Sequence, residues 1–180
     1  MKAIFTQQVV ILFFCSLFAS VSFAQAAKSA ASPASKPSNL MVEGETLDKK
    51  PFQLGALKGK VALVMFWSTD CPVCRDQMPE LRENVQGWVD KPFELVLVSV
   101  DKKRKDVDDY YSFLSQVVPS KQRFTQLWAG SNNYKDSISA MQIPVKQLPA
   151  TFLLDKTGKV VSVIYGRIPV QAWDDIAELL

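Results

Sequence analysis

Seven consecutive apolar residues, VALVMFW from Val61 to Trp67, constrain the fold of this chain more than any other segment. The run is short for a buried helix and rich in strand-forming residues, so it predicts a central strand covered on both faces. A second run, FELVLVSV from Phe93 to Val100, predicts another such strand. Between them, apolar residues recur at helical spacing, at Met78, Leu81, Val85 and Trp88. This order is a βαβ unit, whose crossover is almost always right-handed.

The rest of the chain predicts further strands and helices around the same sheet. In chain order, we expect an edge strand at Phe52–Leu54, a helix over Val107–Val118, a strand within Phe124–Trp128, a helix over Tyr134–Met141, a hairpin turning at Asp155–Gly158 and a helix from Pro169. The residues expected to face the core on the first and last of these helices are Tyr110, Phe113, Leu114 and Val117, and Trp173, Ile176 and Leu180. The order predicts an α/β sandwich around a mixed sheet.

The first two dozen residues have the layout of a secretory signal peptide. Lys2 is followed by an apolar run over Val9–Phe18, and small residues then offer cleavage after Ala24 or Ala26. The alternative is an uncleaved membrane anchor, although the run is shorter than the roughly 20 residues of a spanning helix. We therefore expect residues 1–24 to be a signal peptide that exports the chain.

A linker and one domain are expected after the signal. Residues 25–39 are rich in Ala, Ser, Pro and Lys and contain no aromatic residue. Such a segment cannot bury enough apolar surface to offset the entropy of ordering, so it predicts a flexible linker. The remaining 141 residues, 40–180, have a suitable size for a single domain.

The charge balance argues against a nucleic-acid partner. The chain has 21 Lys and Arg against 18 Asp and Glu, a net charge of +3 that becomes +2 if Lys2 leaves with the signal. A nearly balanced domain is not expected to bind nucleic acid. The densest basic run, Lys102–Lys105, is flanked by Asp101 and Asp106. It predicts a solvated loop and helix start, with a docking surface as the alternative.

Two cysteines three positions apart, Cys71 and Cys74, carry the chemistry that the domain offers. Cys15 would leave with the signal, and an exported domain meets an oxidising compartment in which thiols pair. Cys71 follows the first buried run, and Pro72 suits the first turn of a helix. A cysteine there has its thiolate stabilised, and the thiolate is the attacking species in disulfide exchange. We therefore expect Cys71 to attack a disulfide and Cys74 to resolve the mixed disulfide.

Other uses of the cysteine pair have weaker support. A structural zinc site needs four ligands, and the domain has no histidine and no further cysteine. A purely structural disulfide would close a very short loop and gain little entropy. Two thiolates suit Cu(I), so a copper metallochaperone is an alternative. The strand–turn–helix context favours a redox-active disulfide without a bound metal or other cofactor.

Several segments resemble the thioredoxin superfamily, and most closely its TlpA/ResA/DsbE-like group of exported, often membrane-tethered thiol-disulfide oxidoreductases. The resemblance covers nearly all of Leu40–Leu180. The resemblance rests on PFQLGALKGK, VALVMFWSTDCPVC, Pro79 five residues after the second cysteine, VLVSVD and LPATFLLDKTGKVV. The resemblance implies a thioredoxin-like fold, with a central mixed β-sheet flanked by helices on both faces.

The resemblance also implies roles for individual residues. The first cysteine of the group is the nucleophile and the second is the resolving thiol, which match Cys71 and Cys74. A cis-proline that faces the disulfide matches Pro149, and the backbone of Leu148 beside it would help to bind an extended substrate segment. The alternative for Pro149 is an ordinary loop proline. Pro79 matches a proline that kinks the active-site helix.

The chain departs from the thioredoxin pattern at two positions near the cysteines. Thioredoxins carry a buried aspartate six residues before the first cysteine, where this chain has Met65, so the proton acceptor for Cys74 is unidentified. A tryptophan usually precedes the first cysteine, and this chain has Asp70 instead. A carboxylate there should oppose thiolate formation at Cys71, and Arg75 is a candidate to offset it.

The expected direction of electron flow is reduction of disulfides in partner proteins. Trp67, Pro72 and Val73 complete the expected surroundings of the cysteines, but a proline after the first cysteine occurs in oxidants and reductants alike. DsbE-like cytochrome c maturation reductants carry similar Cys-Pro-x-Cys sequences, and a less acidic Cys71 favours reduction. In the periplasm or another exported location, a membrane thiol donor would re-reduce the disulfide. The alternative is a disulfide oxidase or isomerase.

Overall fold

A computed structural model describes residues 40–130 and 147–180. The expected signal peptide and linker, and the helix expected over Tyr134–Met141, lie outside the described residues. Within the described ranges, no helix combines the length and the apolar character needed to cross a membrane.

The described residues form seven strands and four α-helices. The strands are β1 (Glu43–Glu45), β2 (Pro51–Gln53), β3 (Val61–Trp67), β4 (Phe93–Ser99), β5 (Thr125–Trp128), β6 (Ala150–Leu154) and β7 (Val160–Tyr165). The α-helices are α1 (Pro72–Asp76), α2 (Met78–Gln86), α3 (Arg104–Val117) and α4 (Val170–Leu179). Two short 3-10 helices cover Leu54–Leu57 and Ser120–Gln122.

The main sheet is mixed, as the order of elements predicts. Its strand order is β5-β4-β3-β6-β7, with β3–β4 and β4–β5 parallel and with β3–β6 and β6–β7 antiparallel. Strand β3 lies at the centre, and all seven of its residues are buried. A strand with neighbours on both edges and cover on both faces needs apolar residues throughout, which is why its sequence shows no alternation.

The residues of β3 divide the core into two layers. Leu63 and Met65 share one cluster with buried residues of α2, α3 and α4, such as Leu81, Val107 and Ile176. The intervening β3 residues, Ala62, Val64 and Phe66, share the other cluster with Leu54 of the first 3-10 helix. Among the described residues, all four α-helices therefore pack on the first face of the sheet, and the 3-10 helix Leu54–Leu57 packs on the second.

The expected edge strand near Phe52 belongs to a separate hairpin. Strand β2 pairs antiparallel with β1 in a two-stranded sheet. This hairpin is joined to β5 through a bridge between Thr46 and Leu127 and a hydrogen bond from Leu47 N to Gln126 O at 2.8 Å. The hairpin thus extends the cover of the second face rather than the main sheet.

One helical expectation agrees with the structure and one needs correction. The helix after the cysteines is divided at Gln77 into α1 and α2, in agreement with the kink expected from Pro79, which has no N–H to donate to the carbonyl of Arg75. The core face expected for α3 is wrong at Phe113 and Val117, which are each 62% exposed. Val107 is fully buried instead, so the helix is rotated relative to the expected face.

Candidate active site

The cysteine pair lies where β3 ends and α1 begins. Strand β3 ends at Trp67, and the active-site turn, Ser68–Asp70, leads to Cys71, which is the N-cap residue of α1. Cys71 has extended backbone angles, and Pro72 occupies the first helical position, where a missing N–H costs no hydrogen bond. The local sequence therefore starts a helix at the residue that carries the first sulfur.

The two sulfurs form a disulfide. The S–S distance is 2.09 Å, and the Cα atoms of Cys71 and Cys74 are 5.3 Å apart. Cys71 Sγ also accepts a hydrogen bond from Cys74 N at 3.2 Å. Cys71 is partly exposed, whereas Cys74 is completely buried. A nucleophile or partner sulfur from another molecule can therefore reach Cys71 but not Cys74.

The surface beside Cys71 combines apolar and charged groups. Pro72, Val73, Arg75 and Asp76 line a shallow concavity, and Val73 is 46% exposed. Apolar groups in such a position can contact the side chains of an extended segment, while the two charged groups at the rim oppose each other in sign. The concavity is open to solvent.

The segment Leu148–Pro149 lies at the same end of the sheet as the disulfide. Strand β6 is antiparallel to β3, and Ala150 pairs with Phe66, so the start of β6 adjoins the end of β3. The Leu148–Pro149 peptide bond is cis. Gly166 N donates a hydrogen bond to Pro149 O at 2.8 Å, which joins this segment to the loop after β7.

Residues 34–163, more than half of the chain, match the AhpC/TSA family. The chain belongs to the AhpC/TSA family. The thioredoxin-superfamily resemblance and the thioredoxin-like fold expected from the sequence are thereby confirmed, since solved thioredoxin-family structures share this fold.

Relatives of this AhpC/TSA family member include thiol-disulfide oxidoreductases. It is 29% identical over 121 residues to the thiol-disulfide oxidoreductase ResA of Bacillus thuringiensis (strain Al Hakam), which covers 67% of this chain and 64% of that protein. The ResA of Halalkalibacterium halodurans is 25% identical over 171 residues, 93% of this chain and 84% of that protein. A thiol:disulfide interchange protein of the thioredoxin family from Chlorobium tepidum TLS has a TM-score of 0.64 and 25% identity, and covers 81% of this chain and 97% of its own.

The first of these relatives is matched over less than two thirds of its length. The alignment with the Halalkalibacterium halodurans protein covers nearly the whole chain at lower identity.

In this AhpC/TSA family domain, the residues expected to modulate the cysteines occupy different environments. Asp70 is exposed, and its Oδ1 accepts a short hydrogen bond from Ser68 Oγ. Trp67 is fully buried, and its ring packs edge-on against Tyr110 at 5.1 Å between centroids. Asp70 therefore shapes the active-site turn from the solvent side, while Trp67 supports it from the core.

The charge of Arg75 acts on α3. Burial raises the pKa of Tyr110, and the positive charges of Arg82 and Arg75 partly counteract this effect. Arg75, which the sequence analysis expected to offset Asp70, therefore also favours the ionised form of Tyr110.

The inner side of the disulfide has a polar side chain that the sequence analysis did not identify. Gln77 follows Cys74 by one helical turn and is 1% exposed. Its Nε2 lies 3.4 Å from Met65 Sδ, and its Oε1 accepts a hydrogen bond from Ile168 N at 3.3 Å. Met65, which stands where thioredoxins carry a buried aspartate, is thus a thioether in contact with an amide, and neither group titrates. The signal in the sequence that could have identified Gln77 was a glutamine on the apolar side of a helix.

A second missed residue ties the active-site helices to the loop before α4. Arg167 donates from Nη1 to Asp76 Oδ2 at 2.7 Å and from Nη2 to Glu80 Oε2 at 2.9 Å. These contacts join α1, α2 and the segment after β7 on the surface. The residues are about ninety positions apart in sequence, so only the fold brings them together.

Proposed function

We propose that this protein is an exported thiol-disulfide oxidoreductase that reduces disulfides in partner proteins. The observation that carries the proposal is the Cys71–Cys74 disulfide at the strand–helix junction, with a reachable outer sulfur and a buried inner one. The names of the relatives agree with this chemistry. The disulfide itself is the redox group, and no other cofactor is required.

In the proposed reaction, two electrons pass from the enzyme dithiol to a substrate disulfide. The Cys71 thiolate attacks one substrate sulfur, forms a mixed disulfide and releases the other substrate sulfur as a thiolate. The Cys74 thiol loses its proton and attacks Cys71 Sγ, which breaks the mixed disulfide and releases the second substrate thiolate. The enzyme disulfide then accepts two electrons from the dithiol of a membrane donor.

The buried position of Cys74 supports its resolving role. Because its sulfur is inaccessible to other molecules, it reacts only with Cys71 Sγ, one helical turn away. The segment Leu148–Pro149, at the same end of the sheet, is the proposed site for an extended substrate backbone. Val73, Pro72 and the exposed part of Cys71 would contact the same segment from α1.

We infer reduction rather than oxidation from the residue before the nucleophile. Asp70 places a negative charge next to Cys71, and like charge disfavours a thiolate. A less stable thiolate makes the reduced enzyme a better electron donor. Proteins awaiting covalent haem attachment, as in cytochrome c maturation, are the proposed clients.

The experiment for direction measures the reduction potential and insulin reduction together. Equilibration with glutathione buffers should give a potential well below about −120 mV, the value of a strong oxidant. The reduced protein should also reduce insulin, and Cys71→Ser should abolish that activity. A potential near about −120 mV would assign the protein to disulfide oxidation instead.

Export is a separate part of the proposal. Cleavage after Ala24 or Ala26 would release a chain with a flexible linker before the domain, and an uncleaved segment would tether it to the membrane. Mass spectrometry of the protein recovered from the periplasm should give a mature N-terminus at Gln25 or Ala27. Recovery of the intact chain in the cytoplasm would contradict export.

A further inference from the structure

The active-site turn is held by a buried carboxylate that the proposed reaction does not use. Asp101 follows β4 directly and is 5% exposed. Its Oδ1 accepts hydrogen bonds from Thr69 N at 3.0 Å and from Thr69 Oγ1 at 2.7 Å. Its Oδ2 accepts one from Ser99 Oγ at 2.6 Å. Hydrogen bonds to an ionised acceptor are the strong ones, so Thr69 has little freedom to move.

The sheet fixes Asp101 beside the turn. Strands β3 and β4 are parallel, with Trp67 paired with Ser99, and Val100 N donates to Trp67 O at 2.8 Å. From the other side, Trp128 Nε1 of β5 donates to Asp101 O at 2.8 Å. The ends of three neighbouring strands therefore hold Asp101, and its carboxylate transfers that rigidity to the turn.

Asp101 is also a buried acidic residue at this end of the sheet. Cys71 lies two residues after Thr69, and two residues span at most about 7 Å. Of the other charged groups near this end of the described sheet, Asp70, Arg75, Asp76, Lys102 and Lys103 are exposed, and Arg104, whose guanidinium lies over the Trp128 ring at 5.9 Å, is partly exposed. Water screens exposed charges strongly and buried ones much less, so a carboxylate at Asp101 is screened less than the exposed charges around it.

We propose that Asp101 is a positioning residue of the cysteine pair, which holds the active-site turn through Thr69 and limits how readily Cys71 becomes a thiolate. The inference rests on the proposed dithiol–disulfide chemistry. It goes further in naming a residue, thirty positions away in sequence, that sets the reactivity of the nucleophile. Removing the negative charge of Asp101 and removing its hydrogen bond from Thr69 should change thiolate formation at Cys71 in opposite directions. A purely structural role would not produce opposite changes.

The test measures the pH midpoint of Cys71 alkylation in a Cys74→Ala background. Asp101→Asn removes the charge and keeps the shape, so the midpoint should fall and the thiolate fraction at low pH should rise about tenfold. Thr69→Val keeps the charge but removes a hydrogen bond that partly neutralises it, so the midpoint should rise and the thiolate fraction should drop about threefold. Thr69→Ser keeps the hydroxyl and should restore the original midpoint.

Asp109→Asn is the matched control, because Asp109 is an exposed carboxylate on α3 that pairs with Lys105. It should leave the midpoint unchanged. Shifts of Asp101→Asn and Thr69→Val in the same direction would overturn the inference, as would a midpoint of Asp101→Asn equal to that of Asp109→Asn. If Asp101→Asn fails to fold, the Thr69→Val and Thr69→Ser pair decides by itself. Alkylation does not require substrate reduction, so failure of the wild-type protein to reduce insulin, with these shifts intact, would refute the proposed function alone.

Discussion

Replacing Gln77 by leucine tests how the inner side of the disulfide is built. Gln77 is 1% exposed, and its Oε1 accepts the hydrogen bond from Ile168 N, a residue that is 3% exposed. In Gln77→Leu, the leucine fills most of the volume, but the buried N–H of Ile168 loses its acceptor. An unsatisfied buried donor costs about 1–3 kcal/mol, so the free energy of unfolding should fall by about that amount.

The same change should be visible as a lower melting temperature. Unfolding entropy of about 2.1 cal/mol/K per residue gives about 0.3 kcal/mol/K for a domain of this size, so we expect a decrease of about 3–10 °C. The matched control is Gln171→Leu at an exposed position of α4, which should change stability by less than about 0.5 kcal/mol. If both variants melt with the wild type in a calorimeter, the amide does not satisfy Ile168 and the reasoning fails.

Three further predictions concern a buried tyrosine, a surface ion pair and the core. Burial raises the pKa of Tyr110, so the stability it provides is complete below about pH 10 and is lost as pH rises through its higher folded pKa. Urea unfolding of Tyr110→Phe should therefore show a smaller alkaline loss than the wild type, and an identical loss would contradict this. Arg167→Ala should lower the melting temperature slightly at low salt and not at all in about 0.5 M salt, and a salt-independent loss would rule out a screened ion pair. Ile176→Ala should cost about 2–5 kcal/mol in urea unfolding, whereas Phe113→Ala should cost far less because its ring is 62% exposed, and equal losses would place Phe113 in the core.

The central strands and the site of the cysteines could be predicted because their signals are local. Strand β3 covers the same seven residues as the apolar run, since burial on both faces removes polar residues from all of its positions. The hairpin of β6 and β7 is likewise marked by a turn sequence between two β-rich segments. Cys71 falls at the strand–helix junction because Pro72 can begin a helix but cannot extend one.

The polar contacts around the site could not be predicted, because they join residues distant in sequence. Thr69 and Asp101 meet through the register of two parallel strands, and Gln77 and Ile168 meet across α1 and the loop before α4. The rotation of α3 was also hidden, because Phe113 fits an apolar stripe as well as Val107 does. Which side of a helix is buried depends on its neighbours, and periodicity alone does not identify them.

Trapping of a mixed disulfide tests the central claim most directly. Cys74→Ala, reduced and mixed with a disulfide-bearing protein such as oxidised insulin, should accumulate a reductant-sensitive covalent adduct through Cys71, because the second thiol is absent and cannot release the product. The wild type should accumulate far less, and Cys71→Ala should form none. An equal yield of adduct with Cys71→Ala, or no adduct with Cys74→Ala, would contradict the claim that Cys71 is the accessible attacking sulfur and Cys74 the buried resolving one.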